Sequence, residues 1–254
     1  MKFKRVALVI KGYEANERAS ILQEMHFDIS SFRIFLQSAA GGGWQADEII
    51  TMANPSLAEL QNYSGTMQSD YAIFYFSGHG MGENSNTYIQ LNRECIIDIK
   101  NLPTFALKQL NIFDSCRSRP ILLNEMFLHY PEMSVLSNVV IREIYDRMVQ
   151  RANPGTSYMF SCSYGETSIS DNFTGSYFTN SLIAEAITWS VTLSDSVKLS
   201  ITEACQLSLK KIRLCYGDMQ KPELLSKSGS ETLPFALNIR SLIQQRVNGT
   251  VIRF

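Results

Sequence analysis

An α/β domain on a largely parallel sheet, covered on both faces, is the fold that this 254-residue chain predicts. Three features carry the prediction. Short apolar runs rich in β-branched and aromatic residues alternate with stretches of helical periodicity. The runs at residues 71–76 and 110–113 are apolar throughout or nearly so, as strands buried on both faces are. Each run then stops abruptly at small and polar residues, Ser77-Gly-His-Gly80 and Asp114-Ser-Cys-Arg117. Apolar residues make up 45% of the chain, enough for a sizeable core, and no linker divides it. Residues 1–254 therefore read as one domain.

The elements follow in order. Residues 3–10 form the first strand; the apolar run Val6–Ile10 is too short for a signal-peptide core or a membrane span. Residues 11–18 are polar and loop-like. Residues 28–38 make a helix, with Ile29, Phe32, Phe35 and Leu36 at helical spacing. Gly41-Gly-Gly43 ends it. A glycine run cradles phosphate where it leads from a strand into a helix; this one leaves a helix and serves as a C-cap. Residues 47–52 are the second strand, and Pro55 opens a short helix over 56–63. Residues 71–76 are the third strand. A loop rich in glycine and asparagine follows, then residues 87–91 as one arm of a small hairpin. Residues 95–107 pass through a short helix to the fourth strand, 110–113. Residues 131–151 read as an amphipathic helix with Leu136, Val140, Ile144 and Met148 on one stripe, ended by Asn153-Pro-Gly155. Residues 157–161 are the fifth strand, 177–189 and 201–214 are helices, and 235–239 are the last strand.

Composition excludes several classes. A net charge of −1 gives no general attraction to nucleic acid or to an anionic membrane, and neither is expected as a partner. Five cysteines without CxxC or Cys/His metal spacing make neither a disulfide framework nor a zinc site. They point to a reducing compartment, and the cytoplasm is the expected location.

The chemistry gathers at the two strand ends. Open α/β sheets place ligand sites beyond the carboxyl ends of their strands. His79 and Cys116 end neighbouring runs, so an imidazole and a thiol can face one crevice. A thiol is a poor nucleophile at neutral pH until a nearby base takes its proton or stabilises the thiolate. The pair reads as the His79/Cys116 dyad of a cysteine peptidase. The competing reading of Cys116 is a buried structural thiol. His26 and His129 have no such setting, and Cys95, Cys162, Cys205 and Cys215 read as packing residues.

With these residues placed, the chain resembles the caspase-like cysteine peptidases of clan CD, family C14, and is closer to metacaspases and their prokaryotic relatives than to animal caspases. The matching pieces occur in family order: the first strand, Leu22-x-x-Met25-x-x-Asp28, Ser77-Gly-His-Gly80, Asp114-Ser-Cys116, Ser161-Cys162 with Glu166-Thr-Ser168 and Asp171, Tyr177-Phe-Thr179, and Gln220-Lys-Pro222. Cys116 follows His79 by 37 residues, and Met25 stands where metacaspases often carry a second cysteine. The resemblance implies the caspase-like three-layer sandwich with about six strands. It divides the domain into a large-subunit-like part (1–116), a variable or processing segment (117–155) and a small-subunit-like part (156–254).

The resemblance also implies a regulated endopeptidase that cleaves proteins after Arg, less surely Lys, through an acyl-enzyme. The backbone N–H groups of Gly80 and Cys116 would form the oxyanion hole. Asp28, Ser77 and Asp114 would line an acidic pocket for the guanidinium. Asp28 reads alternatively as a helix N-cap, and Asp114 as a turn-forming aspartate. Arg18 keeps open a pocket for an acidic side chain. Arg117, Arg119, Arg142, Arg147 and Arg151 are either cleavage points or ordinary surface cations, and the helix over 131–151 can dock a partner or cover the cleft. No cofactor is required for the chemistry. Calcium activation is left open by the scattered carboxylates Asp70, Glu166 and Asp171. An activating protein partner fits the family. The alternative is a catalytically inactive caspase-like scaffold or adaptor that binds protein partners. A small-molecule hydrolase would need a Gly-x-Ser-x-Gly elbow, which the chain lacks.

Overall fold

A computed structural model describes residues 3–13, 19–66, 69–118, 137–171, 175–226 and 229–247. Its elements are β1 (Arg5–Lys11), α1 (Ala19–Gln37), β2 (Ile49–Ala53), α2 (Leu57–Thr66), β3 (Ser69–Ser77), β4 (Gly80–Glu83), β5 (Asn86–Asn92), β6 (Cys95–Asp98), β7 (Ala106–Asp114), α3 (Asn138–Arg151), β8 (Gly155–Phe160), β9 (Ser170–Asp171), β10 (Gly175–Ser176), α4 (Tyr177–Val191), β11 (Lys198–Ser200), α5 (Ile201–Tyr216), β12 (Glu223–Ser226), β13 (Pro234–Leu237) and α6 (Ile239–Val247).

The central sheet has six strands in the order β12-β8-β7-β3-β1-β2. All neighbours are parallel except β12, which runs antiparallel to β8. Strand side chains alternate between faces. Ala7, Val9, Tyr71, Ile73, Tyr75, Leu110 and Ile112 join α1, α3, α4 and α5 in one core. Val6, Leu8, Ile10, Phe74, Phe76 and Phe113 face a second core with residues of α2, β5 and β6. The result is the expected three-layer α/β sandwich. Its second layer combines one helix with the antiparallel sheet β4-β5-β6. Asn84 and Ser85, both at positive φ, make the two-residue turn that joins β4 to β5.

Several elements differ from the sequence reading, among them strands β4 and β6, read as part of a glycine-rich loop and as the approach through a short helix. The last apolar run, β13, pairs with β11 in a separate two-stranded sheet. The sixth central strand is β12, where the sequence reading placed no strand. Its residues are half-buried or exposed, and an edge strand of that kind carries little hydrophobic signal. Helix α1 begins at Ala19 and not at Asp28. Two acids, Glu24 and Asp28, lie on its buried face and break the apolar pattern that periodicity detects. Helix α3 buries Ile141, Ile144, Tyr145, Met148 and Val149, so its described part is a core helix; residues 131–136 lie outside the described residues.

The amino end of the sheet is fixed by charge. The Arg5 guanidinium donates to Glu48, Asp146 and the carbonyls of Gly42 and Gly43, and it lies 4.5 Å from the centroid of the Trp44 ring. Arg142 is ion-paired with Glu48. This cation of α3 is therefore structural. Arg147 and Arg151 are exposed on the same helix, while Arg119 and Arg18 lie outside the described residues.

Candidate active site

Parallel pairing sets the site. Ser77 and Asp114 are direct partners at the carboxyl ends of β3 and β7. They continue the alternation of Tyr71, Ile73, Tyr75 and of Leu110, Ile112, so both side chains face α1. The Gly78 N–H donates to the Asp114 carbonyl at 3.1 Å, the last rung before the strands part. His79 and Cys116 lie two residues further along each chain. His79 is exposed, and its carbonyl accepts from the Gln90 N–H of β5 at 2.9 Å.

The two loops touch through Gly80. A Cβ added there would lie 2.6 Å from Ser115 Oγ and 2.7 Å from the Cys116 carbonyl oxygen. Only glycine fits this approach. Gly80→Ala is expected to push the His79 loop away from Cys116 and lower kcat by about 10²-fold, since a displacement near 1 Å costs that much. Retained circular dichroism and a thermal midpoint lowered by only a few °C, as overpacking of about 1–3 kcal/mol implies, beside the lost turnover, would check it.

Beneath the strand ends lies a buried polar network. Asp28 Oδ2 accepts from Ser77 Oγ at 2.8 Å, and Asp28 Oδ1 accepts from the Ser176 N–H at 2.8 Å. Asp114 Oδ1 accepts from Ser168 Oγ at 2.9 Å, and Asp114 Oδ2 from Thr179 Oγ1 at 2.5 Å. Tyr75 Oη shares a hydrogen bond of 2.7 Å with Thr179 Oγ1. Asp28, Asp114 and Ser77 are each no more than 4% exposed. Burial pushes Asp28 well above the usual carboxylate range, and the nearby Asp114 carboxylate adds to the rise. Burial also raises Asp114, against the pull of its hydroxyl donors. Two like charges are costly in such a place.

These contacts replace two alternatives with others. Asp28 sits within α1, so it does not cap that helix; it binds the residue that caps α4, Ser176. Asp114 makes its contacts across the fold and not within its own turn.

Cys116 is partly buried, and its Sγ donates to the Ser168 carbonyl at 3.7 Å. Burial pushes the thiol up, and only the protonated thiol can donate to the Ser168 carbonyl. Cys162 is fully buried, donates to the Ser115 and Glu166 carbonyls, and is pushed up to about 12 by burial. Cys162 and Cys205 are packing residues as expected, whereas Cys215 is exposed. Arg117 is buried under the loop. It donates to Thr87 and the Cys162 carbonyl, is ion-paired with Glu223, and lies 4.0 Å from the Phe160 ring centroid. A cleavage point at Arg117 is incompatible with that burial.

Sequence reasoning assigned no role to Ser168, Ser176, Thr179, Gln220 or Glu24. Four of these lie in or beside the short motifs that resembled the family, and that was the available signal. Glu24 lies one turn before Asp28 on α1, is buried, and accepts from Ser170 Oγ at 2.6 Å. Among the described residues no group of three or more His, Cys, Asp or Glu side chains is arranged to hold a metal ion.

The frame is that of a caspase. The structure is similar to the crystal structure of caspase-1 from Spodoptera frugiperda, with a TM-score of 0.55 over 90% of this chain and 87% of that one. At 13% identity the likeness speaks for the fold. The sequence model of the caspase domain, peptidase family C14, matches residues 4–231, and the chain belongs to this family of cysteine peptidases. No curated protein sequence matches the chain. Among the described residues, no helix is long and apolar enough to cross a membrane.

Proposed function

We propose that this protein is a cysteine endopeptidase that cleaves its protein substrates after Arg, less readily after Lys, with Cys116 as nucleophile and His79 as base. The observation that carries the reading is the buried Asp28/Asp114 pair directly beneath the two strand ends. A guanidinium supplies the positive charge and planar donors that two desolvated carboxylates lack. Lysine supplies the charge without the fork. An aspartate side chain would add a third negative charge to this place.

The steps follow from the side chains. The imidazole of His79 takes the Cys116 thiol proton, and the thiolate attacks the substrate carbonyl carbon. The N–H groups of Gly80 and Cys116 hold the developing oxyanion. His79 then protonates the leaving amine. Water, deprotonated by the same imidazole, hydrolyses the thioester. No step requires a metal or an organic cofactor. The neutral, hydrogen-bonded thiol of Cys116 supports a resting enzyme that awaits an activating signal. We assign it to the regulated, metacaspase-like branch, working in the cytoplasm as a single domain over 1–254, with a protein activator. Cleavage within residues 117–155, if used, has to leave α3 seated in the core.

Fluorogenic peptides ending in Arg, Lys or Asp test the reading, with and without calcium, beside Cys116→Ala. The expected result is cleavage in the order Arg over Lys, none after Asp, and none at all with Cys116→Ala. Preference for Asp would overturn the pocket and leave the dyad. Cleavage by Cys116→Ala, or none by the intact activated protein, would sink the enzyme reading in favour of a scaffold. The calcium arm decides whether the ion is needed.

A further inference from the structure

One residue touches both halves of the site. Ser168 Oγ donates to Asp114 Oδ1 at 2.9 Å, while the carbonyl of the same residue accepts from Cys116 Sγ at 3.7 Å. The side chain thus belongs to the specificity pocket and the backbone to the nucleophile. The surrounding segment is held by the fully buried Gln220. Its Nε2 reaches Ser168 Oγ at 3.4 Å and the Ser161 carbonyl at 2.8 Å, and its Oε1 accepts from the Ile169 N–H at 3.1 Å. Glu166 fixes the other flank. Its carbonyl accepts from the Arg117 N–H at 3.0 Å, and its Oε2 from the Lys221 N–H at 3.1 Å. Further along, Ser176 is tied to the second carboxylate, Asp28. Both acids of the pair therefore hold the same stretch of chain.

We infer that Ser168 is a positioning residue that couples occupancy of the pocket to release of the nucleophile. This rests on the Arg-directed reading above. An arriving guanidinium needs acceptor positions on Asp114, whose two oxygens already accept from Ser168, Thr179 and Ser176. Taking the Ser168 position on Oδ1 displaces that hydroxyl and, with it, the residue that carries the carbonyl facing Cys116. The thiol loses its acceptor, and a thiolate there no longer faces a carbonyl oxygen. A substrate without a guanidinium is then rejected twice. It binds poorly, and it leaves the thiol held. Specificity and activation share one switch, so a differential interaction with two states of one segment does the work.

The probe is ethylguanidinium, which carries the Arg head group and no peptide to cover the thiol. The readout is alkylation of Cys116 by iodoacetamide, in which the thiolate displaces iodide, followed by mass spectrometry of the intact full chain. Exposed Cys215 serves as the internal reference. Ethylguanidinium is expected to speed alkylation of Cys116 about tenfold, within the usual range of site-to-site coupling, and to leave Cys215 unchanged. Sodium chloride at the same ionic strength is expected to do nothing. Ser168→Ala, which keeps the carbonyl and removes the hydroxyl, is expected to abolish the acceleration, and Ser168→Thr to restore it. A rate for Cys116 that ethylguanidinium leaves unchanged or slows overturns the coupling, as does a Ser168→Ala protein that responds like the wild type. Cleavage of Arg-ended peptides by the same wild-type preparation separates the two levels. Cleavage without acceleration removes the coupling alone, whereas neither cleavage nor acceleration removes the pocket reading with it.

Discussion

Asp28→Asn is expected to cut kcat/KM for Arg-ended peptides by about 10²–10³-fold, as loss of one partner from a buried charged contact does. The same change is expected to make the resting protein more stable. The sign follows from burial. Asp28 is held well above the usual carboxylate range in the folded state, so the fold disfavours its ionised form. The penalty is absent at pH below the usual carboxylate range. It grows as pH rises towards the raised folded value, and it is full beyond that. Asparagine keeps the shape, can still accept the Ser176 N–H, and removes the penalty. The gain is expected to be about 1–2 kcal/mol, in line with neutralising a strained functional group. That corresponds to a rise of a few °C in thermal midpoint for a protein of this size, about 2–4 °C per kcal/mol. Midpoints measured at pH 5 and pH 8 should show the larger gain at pH 8. The Asp28 carboxylate bonds Ser77 and Ser176 and not Cys116, so unliganded alkylation of Cys116 should stay within twofold, an allowance of about 0.4 kcal/mol. Loss of stability together with activity at both pH values would make Asp28 a structural residue only.

The strand ends were legible because they obey local rules. A run such as Tyr-Ala-Ile-Phe-Tyr-Phe, broken at Ser-Gly-His-Gly, states both a buried parallel strand and a functional edge. The pairing of Ser77 with Asp114 follows from two such strands lying side by side, and the structure puts those residues in register. What stayed illegible is long-range. Ser168 and Thr179 are ordinary hydroxyl residues until Asp114 is known to sit between them. Arg117 looked like an exposed cation because nothing local announces Glu223, over a hundred residues away, or the face of Phe160. Edge strand β12 lacks an apolar signature, and the strongly apolar β13 reveals burial without revealing its sheet. Helix α1 was misread at its start for a physical reason. Burying Glu24 and Asp28 spoils the amphipathic pattern that periodicity detects.

On the proposed Arg-directed reading, the same buried pair is expected to couple substrate binding to a proton. Both carboxylates are raised, Asp28 well above the usual range, with burial the first cause for each. Glu24, one turn away on α1, adds to the repulsion at Asp28. Tyr75 is pushed well above its own usual value by burial and the two aspartates, so it stays neutral and contributes no compensating charge change. Below the raised folded values the pair is expected to hold a proton that an incoming guanidinium would expel. In Cys116→Ala, which cannot cleave, an Arg-ended peptide is expected to bind more tightly as pH rises. The slope approaches one tenfold step per pH unit while a single proton is displaced, and it flattens above the raised values. Titration calorimetry in buffers of different ionisation enthalpy should report release of up to one proton per peptide bound. Asp28→Asn should make the profile shallower, because one of the two raised carboxylates is removed. The thiol cannot produce this dependence, since it is absent from the protein measured. An affinity that is flat from pH 5 to pH 8, with no buffer-dependent heat, would mean that the pair is already ionised when empty. The stability gain expected for Asp28→Asn would then be lost too, so one measurement on binding and one on unfolding examine the same buried charge.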